Sequence, residues 1–257
     1  MKHSDPISGI RKLFAFGRSD ENMREDLQLK PPFFEIGPKS YLYGDDVVAL
    51  ARAADAAAKK YDVDIIFTAP IVELRRVAEA TERILVFAPH MDPIYPGRGL
   101  ADTLPESLVA AGVKGVMLNH CEKPISLSVL AQTMRRADEV GLATIVCANS
   151  AVEAAAVAHL KPNIIVVEPA GLIGTGHTSD VEDRMTAMRA VKQIDPGIFV
   201  LQGAGIRNGA DVYRVMHAGA EATGSSSGVT LAKDRAAMVD EMILAVRRAW
   251  DDRAAGR

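Results

Sequence analysis

Cysteine and aromatic residues are both scarce in this chain of 257 residues. The two cysteines, Cys121 and Cys147, have no metal-ligand spacing and are typical of a protein from the reducing cytoplasm. Aromatic residues make up only 5% of the chain, so the core must be built mainly from Ala, Val, Ile and Leu. We expect a cytoplasmic protein with an aliphatic core.

Long apolar runs and a large excess of one charge are also missing. No apolar run approaches the ~18 residues of a transmembrane helix, and the N-terminus lacks the apolar segment of a signal peptide. The net charge is only −3, so we expect neither a nucleic-acid nor a membrane partner. Hydrophobic residues at 48% and charged residues at 25% are typical of a globular protein.

Short apolar segments recur along the chain, and helical patterns separate them. Segments of this kind are typical of strands that are buried on both faces of a sheet. Their alternation with helices indicates a parallel sheet, and eight repeats favour an α/β fold with a closed (β/α)8 barrel over an open sheet. The predicted strands are 33–36, 64–68, 84–88, 115–118, 143–147, 164–167, 198–201 and 222–226, and the predicted helices include 45–61, 126–140, 180–194 and 233–250.

The chain shows one segment that differs from this repeating pattern. Residues 1–32 are polar and poorly periodic, and they precede the first predicted strand. We predict an N-terminal extension over 1–32 and a single barrel domain over 33–257. The extension is interpreted as a tail or a short helix packed on the barrel, with an oligomer contact or a cap on the barrel floor as the alternative.

Chemically active residues follow several of the predicted strands. In a (β/α)8 barrel the functional site lies at the carboxyl ends of the strands. Lys39, His90 and Glu168 follow the first, third and sixth strands there, which brings a cation, an imidazole and a carboxylate to one barrel mouth. Loops rich in glycine and serine follow the last two strands, and their backbone N–H groups suit a phosphate dianion.

Several motifs, taken in their order and spacing, resemble the short archaeal-type branch of the triosephosphate isomerase family. They are Phe87–Ile94, Leu118–Glu122, Thr144–Asn149, Val167–Pro169 with Leu172–Gly176, Gly203–Ile206 and Ser227–Thr230. The resemblance covers about 36–233. It implies an intramolecular oxidoreductase of glycolysis and gluconeogenesis, which interconverts glyceraldehyde 3-phosphate and dihydroxyacetone phosphate through an enediol(ate).

The resemblance also implies a role for individual residues. Glu168 is expected to be the base, His90 the neutral imidazole that polarises the carbonyl, and Lys39 the cation that stabilises the enediolate. Glu122 is expected to pair with Lys39 in the resting site. No metal or organic cofactor is implied, residues 169–178 match a lid, and His120 and Cys121 are interpreted as packing residues. The expected substrate-binding residues are Gly37, Gly174, Gly205, Ser226 and Ser227, of which the last four match positions that hold the phosphate.

Two departures from the family pattern leave alternatives open. Gly37 stands where the family normally has an asparagine, and the eighth strand, 222–226, is polar where it is normally apolar. Both changes remove bulk from one sector, so a larger sugar phosphate such as a tetrulose phosphate is an alternative substrate. A non-catalytic sugar-phosphate sensor and another phosphate-binding barrel enzyme, such as an aldolase, are further alternatives. A homodimer is expected, with a tetramer as the alternative, because the family assembles through the loops after the first and third strands.

Overall fold

The fold is described from a computed structural model that covers residues 29–168, 181–203 and 205–257, except for the side chains of 181–184. Most of the predicted N-terminal extension and all of the predicted lid, 169–178, lie outside these residues. Of the extension, the described part begins with Leu29, which is buried against the barrel interior, and Lys30, whose N–H donates to Asp64 Oδ2 at 3.0 Å. The domain boundary after residue 32 stays a prediction.

Within the described residues, eight parallel strands form a closed barrel in chain order, and β1 pairs with both β2 and β8. The strands are β1 (Phe33–Ile36), β2 (Asp64–Thr68), β3 (Leu85–Ala88), β4 (Gly115–Leu118), β5 (Ala143–Ala148), β6 (Ile164–Val167), β7 (Phe199–Gln202) and β8 (Ala222–Ser225). The helices are α1 (Asp45–Tyr61), α2 (Leu74–Ala80), α3 (Pro105–Ala110), α4 (Leu127–Val140), α5 (Ala151–Ala158), α6 (Val181–Ile194), α7 (Gly209–His217), α8 (Ser227–Thr230) and α9 (Arg235–Ala254), with a short 3₁₀ turn at Ile71–Glu73.

The predicted (β/α)8 barrel is confirmed, and the bounds of each strand differ from the prediction by one residue at most. Side-chain caps explain where several helices begin. Ser126 accepts from Val129 N–H before α4, and Asn208 accepts from Asp211 N–H before α7. The last helix begins at Arg235, because Asp234 caps it, and runs four residues beyond the predicted end at Trp250.

The core has two layers, which the alternation of side chains along each strand separates. One layer lies between the barrel and its helices, and the other fills the barrel interior. The interior is tightly packed where β3 and β4 meet. A Cβ atom at Gly115 would overlap the Phe87 ring and lie 2.7 Å from the Ala143 carbonyl oxygen. Gly115 therefore lets the Phe87 ring fill the lower barrel, which closes the floor beneath the upper cavity.

We expect Gly115→Ala to destabilise the fold by about 1–3 kcal/mol, because the added methyl group overpacks the barrel interior. Urea unfolding, followed by circular dichroism, measures the change in the free energy of unfolding. Gly256→Ala is the comparison: a Cβ atom there meets nothing within 4 Å, so the cost is confined to the left-handed φ of 69°, at a site near the chain end. Equal stability of the two variants would contradict this account of the packing.

Candidate active site

A cavity of about 590 Å³ lies at the carboxyl ends of the strands. Polar residues from several strands and loops line it, as expected for the site of a (β/α)8 barrel. The lining residues used below are Glu35, Gly37, Lys39, Thr68, His120, Glu122, Cys147, Glu168, Gly203, Gly205, Arg207, Gly224, Ser226 and Ser227.

Lys39 and Glu122 form an ion pair at the edge of the cavity. The Lys39 ammonium donates to Glu122 Oε1 at 3.1 Å, and the Glu122 side chain is 59% exposed. An exposed pair of this kind stabilises a fold by at most about 1 kcal/mol, so the lysine can exchange this partner for an anionic ligand at little cost. Lys39 also has a left-handed φ of 48°, a strained conformation of the kind that concentrates at functional sites.

The loop after β4 is held in place by Asn119. The Asn119 side-chain amide donates to the Cys147 carbonyl at 3.1 Å and accepts from Ile125 N–H at 3.2 Å. Asn119 has a left-handed φ of 57°, which asparagine tolerates better than most residues. This turn places the next residue, His120, over the cavity.

His120 faces the predicted base. Its Nε2 atom lies 3.9 Å from Glu168 Oε2, and its Nδ1 atom is 3.1 Å from the Glu122 backbone N–H, which donates to it. Because Nδ1 accepts, a neutral His120 carries its proton on Nε2, the nitrogen that points to Glu168. Burial and the charge of Lys39 lower the pKa of His120, against the opposing effect of the Glu168 and Glu122 carboxylates. The imidazole is therefore held neutral near pH 7.

His90, the imidazole expected from the sequence, has different surroundings. It does not line the cavity, and its Nε2 atom lies 3.1 Å from Asp92 Oδ1. Asp92 in turn accepts from Thr103 N–H at 2.7 Å. His90 thus belongs to a hydrogen-bonded network that shapes the loop after β3. The imidazole that lines the cavity is that of His120, for which the sequence analysis predicts a packing role.

The other predicted residues are brought together where they are described. Gly37, Gly205, Ser226 and Ser227 all line the cavity, whereas Gly174 lies outside the described residues. Ser226 Oγ is buried and has no hydrogen-bond partner among the described residues, so this hydroxyl remains available to a ligand. The guanidinium-bearing residue Arg207, which the sequence interpretation did not include, also lines the cavity.

Glu168 depends on a glycine opposite it. Its N–H donates to the Ala148 carbonyl at 3.0 Å, which fixes the backbone at the end of β6. A Cβ atom at Gly203 would lie 2.9 Å from Glu168 Oε1. The end of β7 therefore needs glycine so that the carboxylate can occupy this position.

Glu35 is a third carboxyl group in the cavity, beside Glu122 and Glu168, and the sequence analysis does not include it. Thr68 Oγ1 donates to Glu35 Oε1 at 2.6 Å. Burial inside the barrel and the nearby Glu168 carboxylate raise the pKa of Glu35, the Thr68 hydrogen bond and the Lys39 charge lower it, and the net pKa is about 7. Protonated and ionised Glu35 therefore coexist at neutral pH, whereas an ordinary glutamate is fully ionised there.

Strand alternation and residue spacing are the signals that could have found both missed residues. Glu35 alternates along β1 with Phe34 and Ile36, which pack in the outer layer, so its side chain points into the barrel near the carboxyl end of the strand. His120 is the second residue after β4 and lies two residues before Glu122, which the sequence analysis predicts as a site residue. His90 follows the neighbouring strand, β3. The rule that site residues follow strands therefore does not distinguish the two histidines.

The described part of the chain holds neither a candidate metal cluster nor a candidate membrane span. No group of three or more His, Cys, Asp or Glu side chains there is placed to hold a metal ion. None of the helices in the same residues combines the length and apolar character needed to cross a membrane.

Proton transfer beside a bound anion is the chemistry that these side chains can perform, which puts the protein in the class of acid–base enzymes built on (β/α)8 barrels. A family model described as triosephosphate isomerase matches residues 39–242. The chain belongs to the triosephosphate isomerase family.

Relatives named triosephosphate isomerase cover most of the chain. The protein from Sulfurisphaera tokodaii is 34% identical over 87% of this chain and 99% of its own length. The protein from Saccharolobus solfataricus is 32% identical over 86% of this chain and 99% of its own. The protein from Methanothermus fervidus is 36% identical, with 78% and 91% covered. The predicted similarity to the archaeal branch is confirmed.

We expect the pKa of His120 to lie below that of an ordinary histidine, and the neutral ring to carry its proton on Nε2. Burial and the Lys39 charge both oppose the imidazolium, so Lys39→Met should raise the pKa of His120. Long-range ¹H–¹⁵N NMR of the imidazole nitrogens reports the tautomer and the pKa. A proton on Nδ1, or a pKa that Lys39→Met does not raise, would contradict this geometry.

Proposed function

We propose that this chain interconverts glyceraldehyde 3-phosphate and dihydroxyacetone phosphate through an enediol(ate). The observation that carries the proposal is the approach of Glu168 and His120 to 3.9 Å across one cavity, in a chain of the triosephosphate isomerase family. A base and a proton donor at this separation can act on adjacent atoms of one small substrate.

Glu168 is the proposed base. Its carboxylate takes the proton from the carbon next to the carbonyl and returns it to the former carbonyl carbon, so the substrate is neither oxidised nor reduced overall. Its side chain is only 20% exposed.

His120 and Lys39 are proposed to stabilise the oxygen charge that develops as the proton leaves. The Nε2–H group of neutral His120 donates to the carbonyl oxygen and moves a proton between the two oxygens of the enediol. The Lys39 ammonium, released from Glu122, supplies a positive charge to the same intermediate. His120 replaces His90 in this assignment because His120 lines the cavity.

The phosphate is proposed to bind near Gly205, Ser226 and Ser227. The first N–H groups of a helix have no carbonyl partner within that helix, and α8 begins here, at Ser227. The unpaired Ser226 hydroxyl adds a donor, and Arg207 adds positive charge at the cavity wall. Gly174 is retained as a proposed phosphate ligand because its motif matches the family.

The alternatives left open by the sequence receive no support from the relatives, which carry the name triosephosphate isomerase. The space left by glycine at position 37, where the family normally has asparagine, is also partly filled. A Cβ atom at Gly37 would lie 3.0 Å from Glu35 Oε1, so the Glu35 carboxyl occupies this space and reduces the room for a longer sugar.

Self-association into a homodimer, in the cytoplasm, completes the proposal, with a tetramer as the alternative. Three apolar side chains on the segments after β1, β2 and β3 are 82–103% exposed: Tyr43, Val72 and Leu100. Apolar groups exposed on neighbouring loops are typical of a protein interface. The thiols of Cys121 and Cys147 are both free, as is usual in the cytoplasm.

Sedimentation equilibrium tests the oligomer. We expect a mass of twice the 27.5 kDa chain mass, and we expect Leu100→Asp to shift the equilibrium towards monomer because it buries a charge at the interface. Val152→Asp, an equally exposed apolar site on α5, is the matched control and should leave the mass unchanged. A monomer at micromolar concentration would contradict the proposal.

Isomerase activity on glyceraldehyde 3-phosphate, measured in an assay coupled to NADH oxidation, tests the activity. We expect Glu168→Gln and His120→Gln each to lower kcat by about 10²–10⁴-fold, because each removes a proton-transfer group. His90→Gln should change kcat by less than about tenfold, since this residue contacts Asp92 instead of the cavity.

Two results would overturn parts of this proposal. A folded wild-type protein without turnover would remove the activity itself. A large loss in His90→Gln with near-normal His120→Gln would restore the assignment first expected from the sequence.

A further inference from the structure

We propose that Glu35 contacts the substrate directly, with its carboxyl group hydrogen-bonded to an oxygen of the sugar phosphate from the β1 side of the cavity. This inference rests on the proposed function. It adds to the cavity a carboxyl group that acts as a neutral donor, beside the Glu168 carboxylate that acts as a base.

The position of Glu35 is the first support. It lies in the middle of β1, on the face that points into the barrel, and lines the cavity together with Lys39 and Glu168. Its neighbours along β1 are the fully buried apolar residues Phe34 and Ile36. A charged residue in such a strand is costly to bury without a partner, and the side-chain partner identified for it is the Thr68 hydroxyl.

Two glycines make room for the Glu35 side chain. A Cβ atom at Gly37 would lie 3.0 Å from Oε1, and one at Gly224 would lie 3.1 Å from Oε2 and 2.8 Å from the Glu35 carbonyl oxygen. The carboxyl group therefore occupies the space that side chains at both positions would need. These glycines on β1 and β8 leave the carboxyl group at the cavity wall.

The surrounding charges determine the form of this carboxyl group. Burial and the nearby Glu168 carboxylate raise the pKa of Glu35, whereas Lys39 and the Thr68 hydrogen bond lower it, with a net pKa of about 7. The titratable or charged groups that line the same cavity are Lys39 and Tyr41 after β1, His120, Glu122 and Lys123 after β4, Cys147 on β5, Glu168 after β6 and Arg207 after β7. The protonated and ionised forms are therefore both accessible near neutral pH.

The protonated form is the one suited to an anionic substrate. Because Oε1 accepts from Thr68, Oε2 is the oxygen left to carry the proton and donate it in a hydrogen bond. Ionisation removes this donor and adds a negative charge beside a phosphorylated ligand. We therefore expect the substrate to bind more weakly as the pH rises through about 7.

Two variants separate this role from a structural one. Glu35→Gln keeps the shape, the acceptor for Thr68 and a donor towards the cavity, but it does not titrate. Glu35→Ala removes the donor. Glu221→Gln is the matched control, because Glu221 pairs with Lys192 and Val200 N–H before the amino end of β8, away from the cavity.

We expect Glu35→Ala to lower kcat/KM for glyceraldehyde 3-phosphate by about ten- to a hundredfold, the loss of one hydrogen bond to a charged ligand. The kcat/KM of wild type, divided by that of Glu35→Gln, should fall by at least about tenfold from pH 6 to pH 8.5, because only the wild-type side chain ionises. Glu221→Gln should match wild type at every pH. A constant ratio for Glu35→Gln would overturn the proposal, even if Glu35→Ala failed to fold.

A binding measurement distinguishes failure of this inference from failure of the proposed function. In a Glu168→Gln background, calorimetry with dihydroxyacetone phosphate at pH 6 should show about tenfold weaker affinity when Glu35→Ala is added. If wild type binds this ligand but does not turn it over, the proposed activity fails and the affinity change still decides the role of Glu35. Unchanged affinity would overturn the role of Glu35, and no binding at all would overturn both proposals.

Discussion

Closure of the barrel is the constraint on which the rest of this structure depends. Because eight parallel strands pair in chain order and β8 returns to β1, all their carboxyl ends meet at one rim. Every second side chain must then point into a narrow interior. The lower interior is filled by apolar groups such as Phe33, Phe87 and Ile66, so polar side chains that point inwards higher up share one small cavity.

Sharing a small cavity couples the protonation of these groups. Burial favours the neutral forms of both Glu35 and His120, since it raises the pKa of the carboxyl and lowers that of the imidazole. The charge of Lys39 lowers both pKa values: it stabilises the carboxylate form of Glu35 and opposes the cationic form of His120. One lysine thus keeps the imidazole neutral while it limits how far the pKa of Glu35 rises.

Much of the fold could be predicted because its signals are local. A run such as Ile164–Val167 is apolar throughout, which indicates a strand buried on both faces without knowledge of its neighbours. The choice between His90 and His120 was different, since both histidines follow a strand. That choice depended on the turn at Asn119 and on the hydrogen bonds of Asp92, which join residues through geometry that a linear sequence does not display.

The sequence by itself determined the (β/α)8 barrel, the family and the strand ends at which Lys39, Glu122 and Glu168 lie. Strand periodicity and motif spacing are properties of the order of residues along the chain, so they can be recognised from the sequence alone. Only the tertiary structure placed His120 opposite Glu168 and showed that Glu35 occupies the space beside Gly37 and Gly224. These relationships join residues far apart in sequence. The physical reason is that burial of these groups, their close approach and the resulting pKa shifts arise only once the barrel has closed.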